Sequence, residues 1–202
     1  MKLPGDSDPL YVRARTVLLD GLEALRDQLA AVILVGAQAI YVNTGESNLA
    51  VAPFTTDADL ALDPCLLKDD PQLAAAMRAA GFVEQGDQIG TWLSGREGIA
   101  IDLMVPAALG GAGRRAARLG EPHGNRVARK TRGLEAALID NRVQTIRSLE
   151  DGDPRSFDVA VAGPVALLIA KLHKLEERRQ DQGRSSDKDA LDIYRLLQAT
   201  AT

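Results

Sequence analysis

The stretch AVILVGAQAIYVN, residues 31–43, constrains the fold most. Its apolar run has no polar alternation, which is the pattern of a strand buried on both faces. Gly36 ends the run, and AQAIYVN then reads as a helix that stops near Gly45. Such a strand needs neighbours on either side and cover on both faces, so the chain is expected to build an α/β layer structure. Composition allows it: of 202 residues, 46% are hydrophobic and 26% charged. Aromatics are only 3%, so Ala, Leu, Val and Ile must fill the core.

Other segments extend the pattern. DPLYVRARTVLLDGLEALRDQLA opens with Asp8 as an N-cap and Pro9 in the first turn, and Leu10, Val17, Leu18, Leu22 and Leu25 recur at helical spacing. A loop over 46–53 leads to FTTDADLALD, a second strand. Asp63-Pro64 repeats the cap signal and predicts a helix to Ala80, closed by Gly81. GFVEQ, IGTWLSG and GIAIDLMVP read as a three-stranded meander, and RVQTIRSL and FDVAVAG as two further strands. Gly163-Pro164 starts a helix to Arg179, a polar loop covers 180–186, and a last helix spans about 187–198. The organisation is a mixed α/β core over 1–106, followed over 107–202 by a basic linker region and a helical part. A single merged domain is the alternative. A lone cysteine, Cys65, excludes an internal disulfide framework and fits a reducing compartment. The N-terminus lacks a signal-peptide core and no apolar run spans a bilayer, so a cytoplasmic protein with no membrane partner is expected.

Asp57 and Asp59 interrupt the second strand. Residues i and i+2 of a strand share a face, so the two carboxylates project side by side. Like charges that close repel, and one takes up a proton unless a cation separates them. A hard divalent ion such as Mg²⁺ resolves the conflict. On the pair alone, a solvated strand end and a cation site both fit. Asp102 bears on the choice because it interrupts the apolar strand GIAIDLMVP in the same way. A third acid beside the first two would make a site for two ions, suited to phosphoryl chemistry. Gly36, followed by Ala37, sets free backbone N–H groups at a helix start, where phosphate is attracted. Thr55 and Thr56 are further candidate phosphate donors.

The C-terminal helices carry complementary charge. In GPVALLIAKLHKLEERR, Val165, Leu168, Ile169, Leu172 and Leu175 form an apolar stripe, and Lys171, Lys174 and Arg178 another face. That face is either solvated or, if a lysine emerges beside the carboxylates, a triphosphate ligand. Asp189 and Asp192 share a face of the last helix, where they either orient that lysine or are surface acids; His173 is read as structural. Net charge is −4, yet Arg114, Arg115, Arg118, Arg126, Arg129, Lys130 and Arg132 cluster against Glu121 alone. Such a cluster suits a polyanion backbone. Without interleaved aromatics it has no stacking platform for unpaired bases, so shape and phosphate recognition of folded RNA is the mode that fits. A flexible soluble loop is the alternative.

The order of these features resembles the nucleotidyltransferase superfamily with the polymerase-beta-like fold: strand, glycine and helix, Asp-x-Asp, a later acid, and helices bearing lysine. LLIAKLHKLEERR followed by DKDALDIYRLL is similar to AbiEii-type nucleotidyltransferases, including MenT-like toxins of toxin–antitoxin systems. The resemblance covers residues 31–62, 98–105 and 163–198. It implies a mixed sheet flanked by helices, with a C-terminal helical part. It matches Gly36 to the phosphate-gripping turn, Asp57 and Asp59 to the metal pair, and Asp102 to the third acid. Lys171 and Lys174 become nucleotide ligands, and Asp189 the acid of the last motif. Mg²⁺ is the implied cofactor and an NTP the substrate, with transfer of NMP to an acceptor hydroxyl. In the MenT-like branch the acceptor is a tRNA 3′ end, and an antitoxin protein is the implied partner. Two departures stand out: Gly36-Ala37 replaces Gly-Ser or Gly-Gly, and the gap to Asp57 is long. The alternatives are a small-molecule nucleotidyltransferase and an inactive binding module.

Overall fold

The computed structural model describes residues 8–45, 55–179 and 187–200. The loop read over 46–53 and the polar loop over 180–186 lie outside them. Helix α1, Pro9–Ala24, starts as its sequence dictates, with the Asp8 carboxylate accepting from Leu10 N–H at 2.8 Å. It buries Val17, Leu18 and Leu22, whereas Leu10 is exposed. A 3₁₀ turn, Arg26–Ala31, leads into β1, Val32–Val35, and all four β1 residues are buried. Helix α2, Gly36–Thr44, follows without a linker.

Strand β2, Asp57–Leu62, pairs antiparallel with β1. The expected helix from Asp63-Pro64 is not formed; α3 covers only Leu73–Ala79. Asp63 instead caps a local turn, its carboxylate accepting from Cys65 N–H at 2.9 Å. Pro71 has no N–H to donate and disfavours helix at Asp70. The buried Gln28 amide fixes this stretch, donating to the Lys68 and Pro71 carbonyls and accepting from Lys68 N–H.

The expected meander is present as β3, Phe82–Glu84, β4, Thr91–Ser94, and β5, Ala100–Pro106. A short strand absent from the sequence reading, β6, Arg129–Thr131, runs parallel beside β5. Strands β7, Asn141–Arg147, and β8, Ser156–Ala162, form an antiparallel pair. All eight strands form one mixed sheet ordered β3-β4-β5-β2-β1-β8-β7, with β6 attached to β5. Helices flank it. Strands from both sides of residue 106 share this sheet, since β8 pairs with β1.

Segment 107–128 is not a flexible loop. Ala117 N–H donates to Ala128 O, Leu119 N–H to Gly124 O and Arg118 N–H to Gly110 O. Ala117, Val127 and Ala128 are buried. The result is an irregular hairpin feeding β6.

Helices α4, Pro164–Arg179, and α5, Asp187–Thr200, pack on each other and on α2. The buried face of α4 differs from the stripe read in sequence. Ala166, Leu167 and Lys171 are buried, whereas Val165 and Leu172 are exposed. The reason is electrostatic: the inward face carries a lysine whose two carboxylate partners sit on α5.

Candidate functional site

Parallel strands β2 and β5 place Asp59 directly beside Asp102 and Ala58 beside Ile101. Ile101 lies under α1, where the close approach needs Gly21: a Cβ there would sit 2.4 Å from the Ile101 side chain. Alternation along a strand therefore puts Asp57, Asp59 and Asp102 together on the opposite face. The β1–α2 turn closes over them. Gly36 has φ of +68°, and a Cβ on it would lie 2.0 Å from Asp59 Oδ2. Only glycine serves both demands, the left-handed backbone and the room for a carboxylate. The α2 N-terminus has no side-chain cap.

The three acids differ in their partners. Asp57 accepts a hydrogen bond from the buried Thr55 hydroxyl at 2.6 Å. Its main-chain carbonyl accepts from the Gln38 amide at 3.1 Å, and Gln38 is itself held by the Arg15 guanidinium at 2.8 Å. Asp102 accepts from Thr91 Oγ1 at 2.6 Å and from Arg129 at 2.7 Å. The Asp59 carboxylate has no hydrogen bond among the described residues. Burial, and then the Asp57 charge, push its carboxyl up to about 6, against the opposing pull of Lys174. With Asp102 turned to Thr91 and Arg129, no group of three acid, His or Cys side chains able to hold a metal forms among the described residues.

Facing these strands, α4 brings Lys171 and Lys174. A cleft is lined by Gly36, Asp59, Arg129, Arg132, Lys171 and Lys174, with Thr131, Glu177 and apolar walls from Met104, Leu134 and Leu167. Lys171 is buried, and its ammonium donates to Asp189 at 2.9 Å and Asp192 at 2.7 Å. Burial alone would lower the Lys171 ammonium, but Asp192 and Asp189 outweigh it and raise it. Arg178 also donates to Asp189. Burial would raise the Asp189 carboxyl, yet these cations hold it below its usual range. Lys174 is exposed and makes no ion pair among the described residues. His173 is exposed too, its ring lying against Gly133.

The sequence-predicted residues thus divide. Gly36, Asp59, Lys171 and Lys174 line one cleft, with Asp57 beside Asp59. Ala37 is buried in the first turn of α2. Thr55 is committed to Asp57, and Thr56 is exposed. In the basic stretch, Arg114, Arg115, Arg118, Arg126 and Arg132 are exposed. Lys130 is tied to the Gly111 carbonyl at 2.8 Å and Arg126 to that of Gly86 at 3.1 Å. Arg129 does not join this outer group; it enters the cleft through its bond to Asp102. The sequence reading does not include Thr91 or Gln38 in the site, and it gives Arg129 only as one of the RNA-binding cations. Only pairing geometry identifies Thr91, and nothing singles out Arg129 among its basic neighbours.

A family model described as nucleotidyltransferase matches residues 18–202. Comparison with curated proteins and with solved structures gives no match. Among the described residues no helix is long and apolar enough to cross a membrane.

Proposed function

The chain belongs to the nucleotidyltransferase family, and from this we propose that it transfers an NMP from an NTP to the 3′ end of an RNA. We further propose that the reaction depends on Mg²⁺, that a tRNA is the acceptor, and that the protein acts as the toxin of a toxin–antitoxin pair. The observation that carries the reaction chemistry is the juxtaposition of Asp57 and Asp59 with the Gly36 turn and the α4 lysines.

The donor set fits a hard cation. Two adjacent carboxylates, one without a hydrogen bond among the described residues, offer oxygen ligands in mutual repulsion. Mg²⁺ is commonly held by one or two carboxylates together with substrate phosphates. Asp57 and Asp59 would hold it; when bound, it offsets charge on the phosphates. Thr55 and Gln38 keep Asp57 in place. The free amides of the α2 N-terminus face phosphate, as helix starts do. Lys171 has a third N–H beyond the two given to Asp189 and Asp192, and Lys174 adds a charge with no ion pair among the described residues. These groups align the triphosphate for in-line attack. The acceptor oxygen bonds to the α-phosphorus, the bond to pyrophosphate breaks, and the hydroxyl proton leaves to solvent. Rate enhancement comes from positioning and charge neutralisation.

An RNA acceptor is supported by the exposed arginines 114, 115 and 118, carried on the hairpin that leads into β6 beside the cleft. The toxin role and the tRNA end rest on the resemblance of the α4 and α5 sequences to the MenT-like branch. The test incubates protein, Mg²⁺ and each labelled NTP with total RNA, alongside an Asp57→Ala/Asp59→Ala control. Label in tRNA that is absent from the control is the expected result. If charge reversal at Arg114, Arg115 and Arg118 leaves NTP turnover intact and RNA is never labelled, the acceptor is a small molecule.

A further inference from the structure

Asp102 and Asp59 are neighbours in register on parallel strands, yet they are held in opposite ways. The Asp59 carboxylate is free of hydrogen bonds among the described residues, whereas both Asp102 oxygens are engaged, one by Thr91 and one by Arg129. A cation on the Oδ2 of Asp102 would have to share that oxygen with a charge-assisted hydrogen bond and sit against the positive charge of the guanidinium.

Arg129 is equally constrained. It sits on the three-residue strand β6, paired through Met104 to β5, and its side chain is 34% exposed. One terminal nitrogen donates to Asp102 and the other to Thr131 Oγ1 at 3.1 Å. A guanidinium has five N–H donors, so three remain. They belong to a group that lines the same cleft as Asp59, Gly36, Lys171 and Lys174. A planar fork with donors to spare, fixed by two anchors beside a carboxylate pair, suits bidentate binding of phosphate oxygens.

We propose that Arg129 is a phosphate-binding catalytic residue of this transferase, and that Asp102 and Thr91 position it rather than hold a second metal ion. The proposal rests on reading Asp57 and Asp59 as the metal pair. During transfer the α-phosphoryl oxygens and the departing pyrophosphate carry negative charge as the P–O bond to pyrophosphate breaks. A cation locked in place beforehand stabilises that charge without reorganising. The carboxylate of Asp102 keeps the guanidinium from swinging out toward solvent, and β6 ties that position to the basic hairpin.

The test uses the full-length protein with Mn²⁺ as a paramagnetic probe for the metal site. It compares wild type with Arg129→Ala, Arg129→Lys, Asp102→Asn, Thr91→Val, the Arg129→Ala/Asp102→Asn double variant and Asp57→Asn. Thermal melts verify that each is folded. Arg129→Ala is expected to lower kcat/KM for the NTP by about 100-fold or more, with partial rescue in Arg129→Lys. Asp102→Asn should approach the same loss, Thr91→Val should show a smaller one, and the double variant should be no worse than Arg129→Ala. Mn²⁺ affinity should stay within about twofold of wild type in all of these, yet fall at least tenfold in Asp57→Asn. A tenfold loss of Mn²⁺ affinity in Asp102→Asn would make Asp102 a metal ligand and overturn the proposal. Additive losses in the double variant, or a near-wild-type Arg129→Ala, would overturn it as well. If Asp57→Asn leaves Mn²⁺ binding unchanged, it is the metal-pair reading that fails. Arg129 is then decided by NTP affinity in the absence of metal, which must drop in Arg129→Ala.

Discussion

Two clusters of buried charge face each other across the cleft, and they are built on opposite plans. On α4 and α5, Lys171 has two carboxylate partners and Asp189 has a second cation in Arg178. That cluster satisfies itself. On β2, Asp57 and Asp59 lie on one face of the strand with a single hydroxyl donor between them, and burial with mutual repulsion raises Asp59 to about 6. That cluster is offset only from a distance, by the charges of Lys174 and Arg129. Satisfied buried networks stiffen a fold, while charge left uncompensated at a cleft is where chemistry is expected. The difference predicts that damage to the α4–α5 cluster lowers stability, together with the NTP binding that Lys171 supplies, while damage to the β2 cluster lowers activity alone.

The sharpest separation should come from Asp57→Asn and Asp59→Asn. Each is expected to lower NMP transfer about 1,000-fold or more while leaving the melting temperature equal to or above wild type. Loss of fold together with activity would erase the contrast. Lys171→Met should do the reverse in stability, costing about 3–5 kcal/mol in denaturant unfolding, because it strands Asp192 and leaves Asp189 with Arg178 alone, both carboxylates being 1% exposed. Gly36→Ala probes the seam between the strands and α2. Positive φ and the clash with Asp59 Oδ2 predict a loss of about 2 kcal/mol, together with weaker metal binding.

The smallest effect is a pH dependence. The raised Asp59 carboxyl means that the folded state holds its proton more tightly than the unfolded chain does. Its contribution is fully present below the ordinary carboxylate range and is lost as pH rises through about 6. Metal-free protein should therefore lose about 2 kcal/mol from this group between pH 4 and pH 7. Asp59→Asn should flatten that part of the profile, and Mg²⁺ should stabilise wild type more at pH 7 than at pH 5. A profile unchanged by Asp59→Asn would show that the pair is not strained.

Much of this contrast was legible in the chain. An apolar run ending in Gly36 fixed β1 and the turn, and the i, i+2 spacing of Asp57 and Asp59 placed both on one face. Capping chemistry marked the start of α1. The same chemistry misled at Asp63-Pro64, because a capping aspartate serves a turn as well as a helix and Pro71 lies downstream. On α4, periodicity chose the aliphatic stripe, but buried ion pairs with α5 outweighed it. Strand β6 carries Arg-Lys-Thr and has no apolar signature; its place is set by pairing with β5. For that reason Arg129 read as one more cation in a basic stretch, while Thr91 carried no signal beyond its place in the strand IGTWLSG.

The central claim is that Asp57 and Asp59 form a cation site that the fold leaves uncompensated. Calorimetric titration of Mg²⁺ into the protein at pH 7.5 in the presence of a non-hydrolysable NTP tests it most directly, with Asp59→Asn and Lys171→Met run alongside. The prediction is a saturable Mg²⁺ site in wild type, lost in Asp59→Asn and, at saturating NTP analogue, kept in whatever fraction of Lys171→Met remains folded. Equal Mg²⁺ binding by wild type and Asp59→Asn would contradict it.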